Sequence, residues 1–426
     1  MSSRIPGFYK LLPQARLDAL ETHLGVDTAG FLSDGLPLET ADLMVENVVS
    51  TFPLPLSVAI NLLLNGQDIA VPMVVEEPSV VAAVSNMARL TRRAGGVFAE
   101  ADDGVMTGQL QVIPKGDAAA CAASLQAELP ALLAAATGVH PKLEERGGGL
   151  RGIDIRLVTY DEPGYPVEQY VVLHVHLDCV DAMGANMVNT LVERLAPLVE
   201  AITGERVGLR ILTNLADRRL ARAWVSLRPE HLDPVGGTGA EVAEGIAAAW
   251  RFAWADPYRA ATHNKGVMNG VDPVAIATGN DWRAIEAGAH AYAARDGQYR
   301  PLTRWVVDAD GTLQGTIELP LQVGTVGGPI RVHPRVKANL ALLGNPRARQ
   351  LAGVIAAVGL IQNLGALRAL ATEGIQQGHM RMHARSVAAM VGATGAEALV
   401  VAAKLHSLGD FSEETARRVL AGLRAP

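Results

Sequence analysis

Leucines at positions 11, 12, 17, 20 and 24 would give a helix in the first part of the chain one apolar face. After a second helical pattern, a proline-broken segment and a strand pattern, Pro78 is suited to the first turn of another helix. The residues Arg93–Gly96 end that helix. The predicted elements are a helix over 11–24, a helix over 42–49, a strand over 69–75 and a helix from 78 to 92.

The pattern changes between residues 104 and 213. Ile153, Ile155 and Leu157 alternate with polar residues, which is the period of a strand, and Asp117 is suited to cap a helix that runs to Ala136. The stretch as a whole has the order β-α-β-β-α-β, which is typical of the ferredoxin-like fold. Its predicted elements are strand 105–113, helix 117–136, a strand around 153–157, strand 168–178, helix 185–202 and strand 207–212.

Helices and short strands alternate from Asn214 to about Leu370, and three short helical patches follow near 380–391, 396–406 and 413–423. Because such a small helical unit makes few long-range contacts, it is a candidate for a mobile flap. We therefore expect an α+β fold, a helix-rich large domain with an inserted ferredoxin-like small domain. The expected domains are a discontinuous large domain of residues 1–103 and 214–372, the small domain 104–213, and a C-terminal flap 373–426.

Composition narrows the class of protein. Hydrophobic residues make up 49% of the 426 positions but aromatic residues only 4%, so Ala, Val and Leu must fill a large core. The net charge of −7 argues against nucleic acid or an anionic membrane as a partner. Two cysteines exclude a disulfide framework. The polar start Met1–Lys10 and the short apolar run Leu351–Ile361 predict neither a signal peptide nor a membrane span, hence a soluble, cytoplasmic protein.

Two motifs that can signal ligands have more ordinary interpretations here. Gly147–Gly152 matches GxGxxG, but a helix precedes it and a strand follows, which is the reverse of a dinucleotide fingerprint, so we expect a turn. His174, His176 and Asp178 fall on one strand face, yet no further ligand completes a metal site. The polar outer face of a sheet is favoured, and no metal is expected.

The segment Val180–Asn186 joins a strand to the N-terminus of a helix. Free backbone N–H groups and the helix dipole attract phosphate at such a place. Small residues at 182, 184 and 185 would let a ligand approach the backbone. An ordinary strand-to-helix turn explains the pattern about as well, so both interpretations stay open.

Three other turns combine polar residues with glycine or proline, at 76–79, 262–266 and 279–282. Two of them contain Lys265 and Asp281. A lysine with an aspartate partner in apolar surroundings is either a structural ion pair or a stabiliser of an oxyanion. Chemistry alone favours the structural pair.

Six blocks that occur in order along nearly the whole chain closely resemble class II (bacterial) 3-hydroxy-3-methylglutaryl-CoA (HMG-CoA) reductase of the mevalonate-degrading type. The resemblance implies interconversion of (R)-mevalonate, CoA and two NAD+ with HMG-CoA and two NADH, through a hemithioacetal and mevaldehyde. The blocks are Glu46-Asn47-Val48, Val75-Glu76-Glu77-Pro78-Ser79, Asp181-Ala182-Met183-Gly184-Ala185-Asn186, Asp256 to Gly266, Gly279-Asn280-Asp281-Trp282 and Gly378-His379-Met380.

The same resemblance implies four catalytic residues. Lys265 is the cation that polarises the carbonyl and stabilises the developing oxyanion, and Asp281 holds and tunes it. Glu77 supplies a proton to the oxygen of the aldehyde. His379 protonates the departing CoA thiolate from the start of the flap.

Ligand contacts are carried over in the same way. Ser79, Arg259 and Asn269 are expected at the hydroxymethylglutaryl group, where Arg259 can pair with the free carboxylate. The cofactor is expected to be NAD, with NADP possible because His140 stands where NADH-using relatives carry an aspartate. The expected cofactor contacts are Asp181, Ala182, Met183, Gly184, Ala185, Asn186 and Asn214.

The resemblance also implies a homo-oligomer built from dimers, with the active site at the subunit interface and with HMG-CoA, mevalonate and CoA as ligands. An alternative enzyme class is a CoA-thioester hydrolase or transferase that uses Lys265 and Asp281. It would release CoA without any change in nicotinamide absorbance. A second alternative, a catalytically inactive binding protein, is disfavoured because all four catalytic positions carry competent side chains.

Overall fold

The computed structural model describes residues 2–32, 35–232, 237–372 and 384–424. In its first part, the predicted helix over 42–49 is wrong, because the helix there ends at Met44, Val45 is extended and Asn47 has a φ of 59°. A strand that the pattern did not predict follows and pairs antiparallel with the predicted one. The elements are α1 (Pro13–Leu24), α2 (Ala29–Leu32), α3 (Leu38–Met44), β1 (Leu56–Leu64), β2 (Gln67–Val74), α4 (Val80–Arg92) and β3 (Phe98–Ala101).

The next part has the predicted ferredoxin-like topology. The elements are β4 (Val105–Ile113), α5 (Ala118–Ala127), α6 (Leu129–Ala136), α7 (Pro141–Glu144), β5 (Gly149–Tyr160), β6 (Glu168–Asp178), α8 (Ala185–Thr203) and β7 (Arg206–Leu212). Its antiparallel sheet has the order β5-β6-β4-β7, with the helices covering one face. Asp117 caps α5 as predicted, through Ala119 N at 2.8 Å. The single helix expected over 117–136 is wrong: α5 and α6 meet at 62°, and Pro130 lies in the first turn of α6.

A second four-stranded antiparallel sheet and a group of long helices form the part that follows the ferredoxin-like unit. The elements are β8 (Leu220–Leu227), α9 (Gly239–Ala255), α10 (Pro257–Ala277), α11 (Trp282–Ala293), β9 (Thr303–Val307), β10 (Leu313–Pro320), α12 (Gly328–Val332), α13 (Pro334–Leu342) and α14 (Ala348–Ala371). The sheet order is β3-β8-β10-β9, so a strand from before the ferredoxin-like part completes it.

Helix α14 is the centre of the largest hydrophobic cluster, as the buried helix predicted for 351–361 requires. It is long and apolar enough to cross a membrane by length and composition, but 67% of its most apolar stretch is buried inside the protein. Such burial is that of a core helix. It packs against α4, α9 and α10, and it thereby supports the helix that carries Lys265.

The C-terminal part begins with a helical segment at 384–390, followed by α15 (Gly395–Leu408) and α16 (Glu413–Arg424). These helices bury their own small apolar cluster, which includes Val387, Val401 and Leu420. The ferredoxin-like part and the part around α14 each have a separate hydrophobic cluster as well. The domain bounds stay a prediction.

Candidate active site

Lys265 and Glu77 meet across the gap between α10 and the turn that follows β2. The Lys265 Nζ donates a hydrogen bond to Glu77 Oε2 at 2.8 Å. Asn269 lies one turn further along the same face of α10, and its Nδ2 lies 3.4 Å from the same oxygen. The structure thus brings together three residues that the sequence predicted for catalysis and substrate binding.

Ser79 begins α4 in a left-handed backbone conformation, with φ of 76° and ψ of −22°. A residue with a side chain adopts this conformation at a cost of about 1–2 kcal/mol. Residues held in this way concentrate at functional sites. Ser79 follows Glu77 by two positions, so the strained residue belongs to the same turn as the carboxylate that faces Lys265.

Arg259 lies in the first turns of α10, roughly 9 Å along the helix axis from Lys265. Burial lowers the pKa of its guanidinium. Among the described residues, no carboxylate lies within ion-pair distance of it. A partly buried arginine without an acidic partner is suited to bind the carboxylate of a ligand.

The Lys265–Asp281 pair does not form within one chain. Asp281 caps α11 through the backbone N–H groups of Arg283 and Ala284, at 3.1 and 3.2 Å, and pairs with the Arg283 guanidinium at 3.1 Å. The remainder of α10 after Lys265 is roughly 18 Å long, far beyond the reach of a lysine side chain. Lys265 therefore lies near the middle of α10, and Asp281 lies beyond its C-terminal end.

A buried polar network anchors α10 beneath Lys265. His263 is 1% exposed, and its Nε2 lies 2.6 Å from Thr303 Oγ1. The Thr303 hydroxyl in turn donates to Asn363 Oδ1 at 2.9 Å, and Trp305 Nε1 donates to the same oxygen at 2.8 Å. Burial, aided by the charge of Arg259, lowers the pKa of His263 to about 3, so its ring is neutral.

A carboxylate cluster continues the face of α10 that carries Lys265 and Asn269. Asp272 comes next on that face, and burial together with Glu286 raises its pKa far above the usual range. Glu286 bonds to His290, whose Nδ1 lies 2.7 Å from the Tyr299 hydroxyl. Asp272 is therefore protonated at neutral pH. Sequence reasoning missed this cluster because its members are far apart in the chain, on α10, on α11 and in the segment after α11.

The turn Asp181–Asn186 leads into α8 through Gly184, which has a φ of 102°. A Cβ atom at this glycine would lie 2.3 Å from Cys179 Sγ, so the turn requires glycine there. Asp181 Oδ1 accepts a hydrogen bond from Ala348 N at 2.9 Å and thus caps α14. The turn is fixed both to its own sheet and to the neighbouring part of the protein.

Other expected cofactor residues lie around this turn. The Asn214 carbonyl oxygen accepts from Gln322 Nε2 at 3.1 Å. His140 Nε2 lies 2.8 Å from the Met187 carbonyl oxygen, in the first turn of α8. Beside the turn is a cavity of about 450 Å³ that sequence reasoning missed. Its walls include Asp181, Arg146, Arg151, Arg347 and Arg349.

The histidine–aspartate strand and the glycine-rich stretch, for which the sequence favoured ordinary interpretations, show no ligand geometry among the described residues. On the strand, neighbouring side chains bond to His176 and Asp178. His176 lies between Thr107 and Asp154, at 2.9 Å from each, and Asp178 pairs with Arg151. Of the predicted turn Gly147–Gly152, only Gly147 and Gly148 lie between α7 and β5, and the residues from Gly149 onward already belong to the strand. His379 lies outside the described residues.

A mixed helix-and-sheet protein with a ferredoxin-like unit and a lysine–carboxylate site can be compared with enzymes of known family. The family model of hydroxymethylglutaryl-coenzyme A reductase matches residues 13–384. The chain belongs to the HMG-CoA reductase family and is of the class II, bacterial type. It is therefore an oxidoreductase.

The similarity to individual relatives extends over most of each chain. The 3-hydroxy-3-methylglutaryl-coenzyme A reductase of Archaeoglobus fulgidus is 47% identical over 100% of this chain and 96% of its own length. A probable reductase of Borreliella burgdorferi is 33% identical over 81% and 77%. The class II reductase of Streptococcus pneumoniae bound to NADPH has a TM-score of 0.81 and 41% identity, over 97% of this chain and 100% of that one. None of these relatives supports the hydrolase or transferase alternative.

Proposed function

We propose that the protein interconverts HMG-CoA and mevalonate by two successive hydride transfers between substrate and a nicotinamide cofactor. The observation that carries this proposal is the contact between Lys265 Nζ and Glu77 Oε2 at 2.8 Å. A fixed cation can stabilise the oxygen that gains negative charge in both transfers. An adjacent carboxyl group can deliver the proton that the second oxygen needs.

The steps balance as follows. The first hydride adds to the thioester carbon, and Lys265 stabilises the resulting hemithioacetal oxyanion. Collapse of that intermediate expels CoA thiolate, to which His379 is proposed to give a proton, and leaves mevaldehyde. The second hydride adds to the aldehyde carbon while the Glu77 carboxyl protonates the oxygen, which gives mevalonate.

Arg259 and Ser79 are proposed to hold the hydroxymethylglutaryl group, with Asn269 beside the reacting carbon. The support is the position of Arg259 on the helix of Lys265, without an ion-pair partner among the described residues. A bidentate contact from arginine suits a free carboxylate. The strained Ser79 backbone would place its hydroxyl next to that ligand.

The cofactor is proposed to bind on the turn Asp181–Asn186. Its phosphates would meet the N-terminus of α8 and the cavity beside the turn, which four arginines and three aspartates line. We propose NAD(H), with NADP(H) also accepted. Because His140 Nε2 donates to the Met187 carbonyl, Nδ1 of the neutral ring can accept from a ribose hydroxyl.

A dimer with a shared active site is proposed because one chain cannot bring Lys265 and Asp281 together. Both side chains are exposed, 61% and 42%, and are available to a second copy. Leu43, Val49 and Phe52 are also strongly exposed around the block at 46–48. Clustered exposed apolar side chains mark surfaces that a partner covers.

The test is an assay of mevalonate and CoA with NAD and NADP side by side, followed by nicotinamide absorbance and free thiol. We expect two reduced cofactors for each CoA consumed, with the higher kcat/KM for NAD. No cofactor reduction with either nucleotide, from protein shown to be folded, would contradict the proposal. Release of CoA from HMG-CoA without cofactor oxidation would favour the hydrolase instead.

A further inference from the structure

Arg219, in the segment before β8, is a buried cation that the sequence analysis did not single out. It is 4% exposed. Its Nη1 lies 3.1 Å from the Ala182 carbonyl oxygen and 3.3 Å from that of Met183, and its Nη2 donates to the Val323 carbonyl oxygen. Burial lowers the pKa of this guanidinium. Among the described residues, no carboxylate pairs with it.

The three acceptors of Arg219 belong to two segments that are far apart in the chain. Ala182 and Met183 lie in the turn proposed to bind the cofactor, and Val323 lies in the segment 321–325 that follows β10. A planar guanidinium presents donors in fixed directions and can hold both segments at once. A buried charge is tolerated only when such contacts replace its hydration. Arg219 therefore ties the turn to the segment.

The segment 321–325 also contacts the loop of Asp281. Asn280 Oδ1 accepts a hydrogen bond from Gly324 N at 2.7 Å. A Cβ atom at Gly324 would lie 2.7 Å from Met183 N, so the turn and the segment are in direct backbone contact. A chain of contacts thus leads from the turn through Gly324 to the residue before Asp281.

We propose that Arg219 is a positioning residue for hydride transfer: it fixes the cofactor turn against the segment 321–325 and so sets the place of the nicotinamide relative to the substrate. Arg219 itself touches no reacting atom. The inference rests on the proposed placement of the cofactor on Asp181–Asn186. A misplacement of about 1 Å in such a site can lower the rate about 100-fold.

The test compares Arg219→Met and Arg219→Lys with Arg222→Met in the full-length protein. Arg222 lies three positions further on and pairs with Asp102 and Glu318 at partly exposed positions, so its loss removes two ion pairs without touching the turn. For each protein we would measure kcat, the KM of HMG-CoA, and the isotope effect with cofactor deuterated at the transferred position. Amide hydrogen exchange of the peptide covering 179–187 would report on the turn directly.

We expect Arg219→Met to lower kcat about 100-fold, to leave the KM of HMG-CoA nearly unchanged and to raise the isotope effect. Arg219→Lys should fall between, because an ammonium cannot reach all three carbonyls. Exchange in 179–187 should become faster in both, and Arg222→Met should show none of these changes. Wild-type exchange in this peptide, or a wild-type isotope effect in an active Arg219→Met, would overturn the inference. Inactive wild-type protein would contradict the proposed function, and the exchange measurement would still decide whether Arg219 fixes the turn.

Discussion

Lys265 Nζ lies 2.8 Å from Glu77 Oε2, and no other carboxylate of the described chain pairs with this lysine. The lysine side chain is 61% exposed, and ion pairs in such positions contribute only about 0.2–1 kcal/mol to folding. The pair therefore matters little for stability. Its geometry is better explained by chemistry, because an ammonium group and a carboxyl group meet at one point of an open site.

Replacement of Lys265 should impair both reductions, whereas replacement of Glu77 should impair mainly one of them. Lys265→Met should lower the rates of both reductions about 100- to 1000-fold, because no cation then stabilises the negative charge on the oxygen in either step. Glu77→Gln keeps the hydrogen-bonding shape but cannot give a proton, so it should impair mevaldehyde reduction most. Steady-state assays with HMG-CoA and with mevaldehyde would measure both effects, and the exposed Lys115→Met serves as the control. Equal loss of both steps in Glu77→Gln would refute its assigned role.

The left-handed backbone conformation of Ser79 leads us to expect effects on both stability and substrate binding when this residue is replaced. Ser79→Ala keeps a side chain in the left-handed conformation, whereas Ser79→Gly removes the conflict, so the glycine variant should be more stable by about 1 kcal/mol. Both lose the hydroxyl and should raise the KM of HMG-CoA about tenfold. Chemical unfolding and substrate titration check the two parts. Equal stabilities of the two variants would show that the turn is not strained.

The sequence predicts those features whose signal lies in neighbouring residues. The alternation over 153–157 and the Asp117 cap are enough to predict the ferredoxin-like part. Its helix α8 ends at Gly204, whose φ of 68° is typical of a helix-ending glycine. The break between α5 and α6 was missed because a composition rich in Ala and Leu hides the effect of Pro130. Strand β1 was missed for a similar reason, since its apolar run favours helix and strand alike.

Long-range partners are a different matter. Arg219 donates to the carbonyl groups of Ala182, Met183 and Val323. Because these acceptors are backbone atoms, no pattern of residue types in the sequence predicts the contacts. The pairing of Lys265 with Glu77 joins residues 188 positions apart. The resemblance to a family supplied both residues but gave Asp281 as the partner. Because α10 is long, a single chain can bring Glu77 to Lys265 but not Asp281.

The buried, neutral His263 should make the folded protein less stable in acid. Its pKa is about 3 in the folded protein and about 6.5 in the unfolded chain. Above pH 6.5 neither state binds the proton, but below it only the unfolded state does, so stability falls as the pH is lowered towards 3. The slope from this one group is at most about 1.4 kcal/mol per pH unit.

Unfolding free energies of wild type and His263→Gln between pH 8 and pH 4 would measure this effect. The variant should be less stable at pH 8, because the contact with Thr303 is weakened, but should lose less stability on acidification. Burial also lowers the pKa of His174 and His333, and both proteins share that contribution. The difference between the two curves therefore isolates His263, and parallel curves would rule out a buried neutral ring.

The protonated Asp272 should have the opposite effect and make the folded protein less stable as the pH rises. Its raised pKa means that the folded protein keeps a proton that the unfolded chain releases, so stability from this group falls as the pH rises above about 4. Asp272→Asn mimics the protonated form and should flatten the loss of stability on the alkaline side. Unfolding at pH 6 and pH 9 would measure it. A variant that is less stable than wild type by the same amount at both values would contradict a protonated Asp272.

The separation of Lys265 and Asp281 can be tested by mixing two inactive proteins. If each active site takes its lysine from one copy and its aspartate from the other, a mixed dimer of Lys265→Ala and Asp281→Ala has one site with both residues. An equal mixture should then recover about 25% of wild-type activity, since half of the dimers are mixed and half of their sites are whole. The subunits would be exchanged by co-expression with two different affinity tags, and the doubly tagged dimers purified. Those dimers should have half the wild-type activity per dimer, whereas inactive mixed dimers would mean that no site combines Lys265 of one copy with Asp281 of the other.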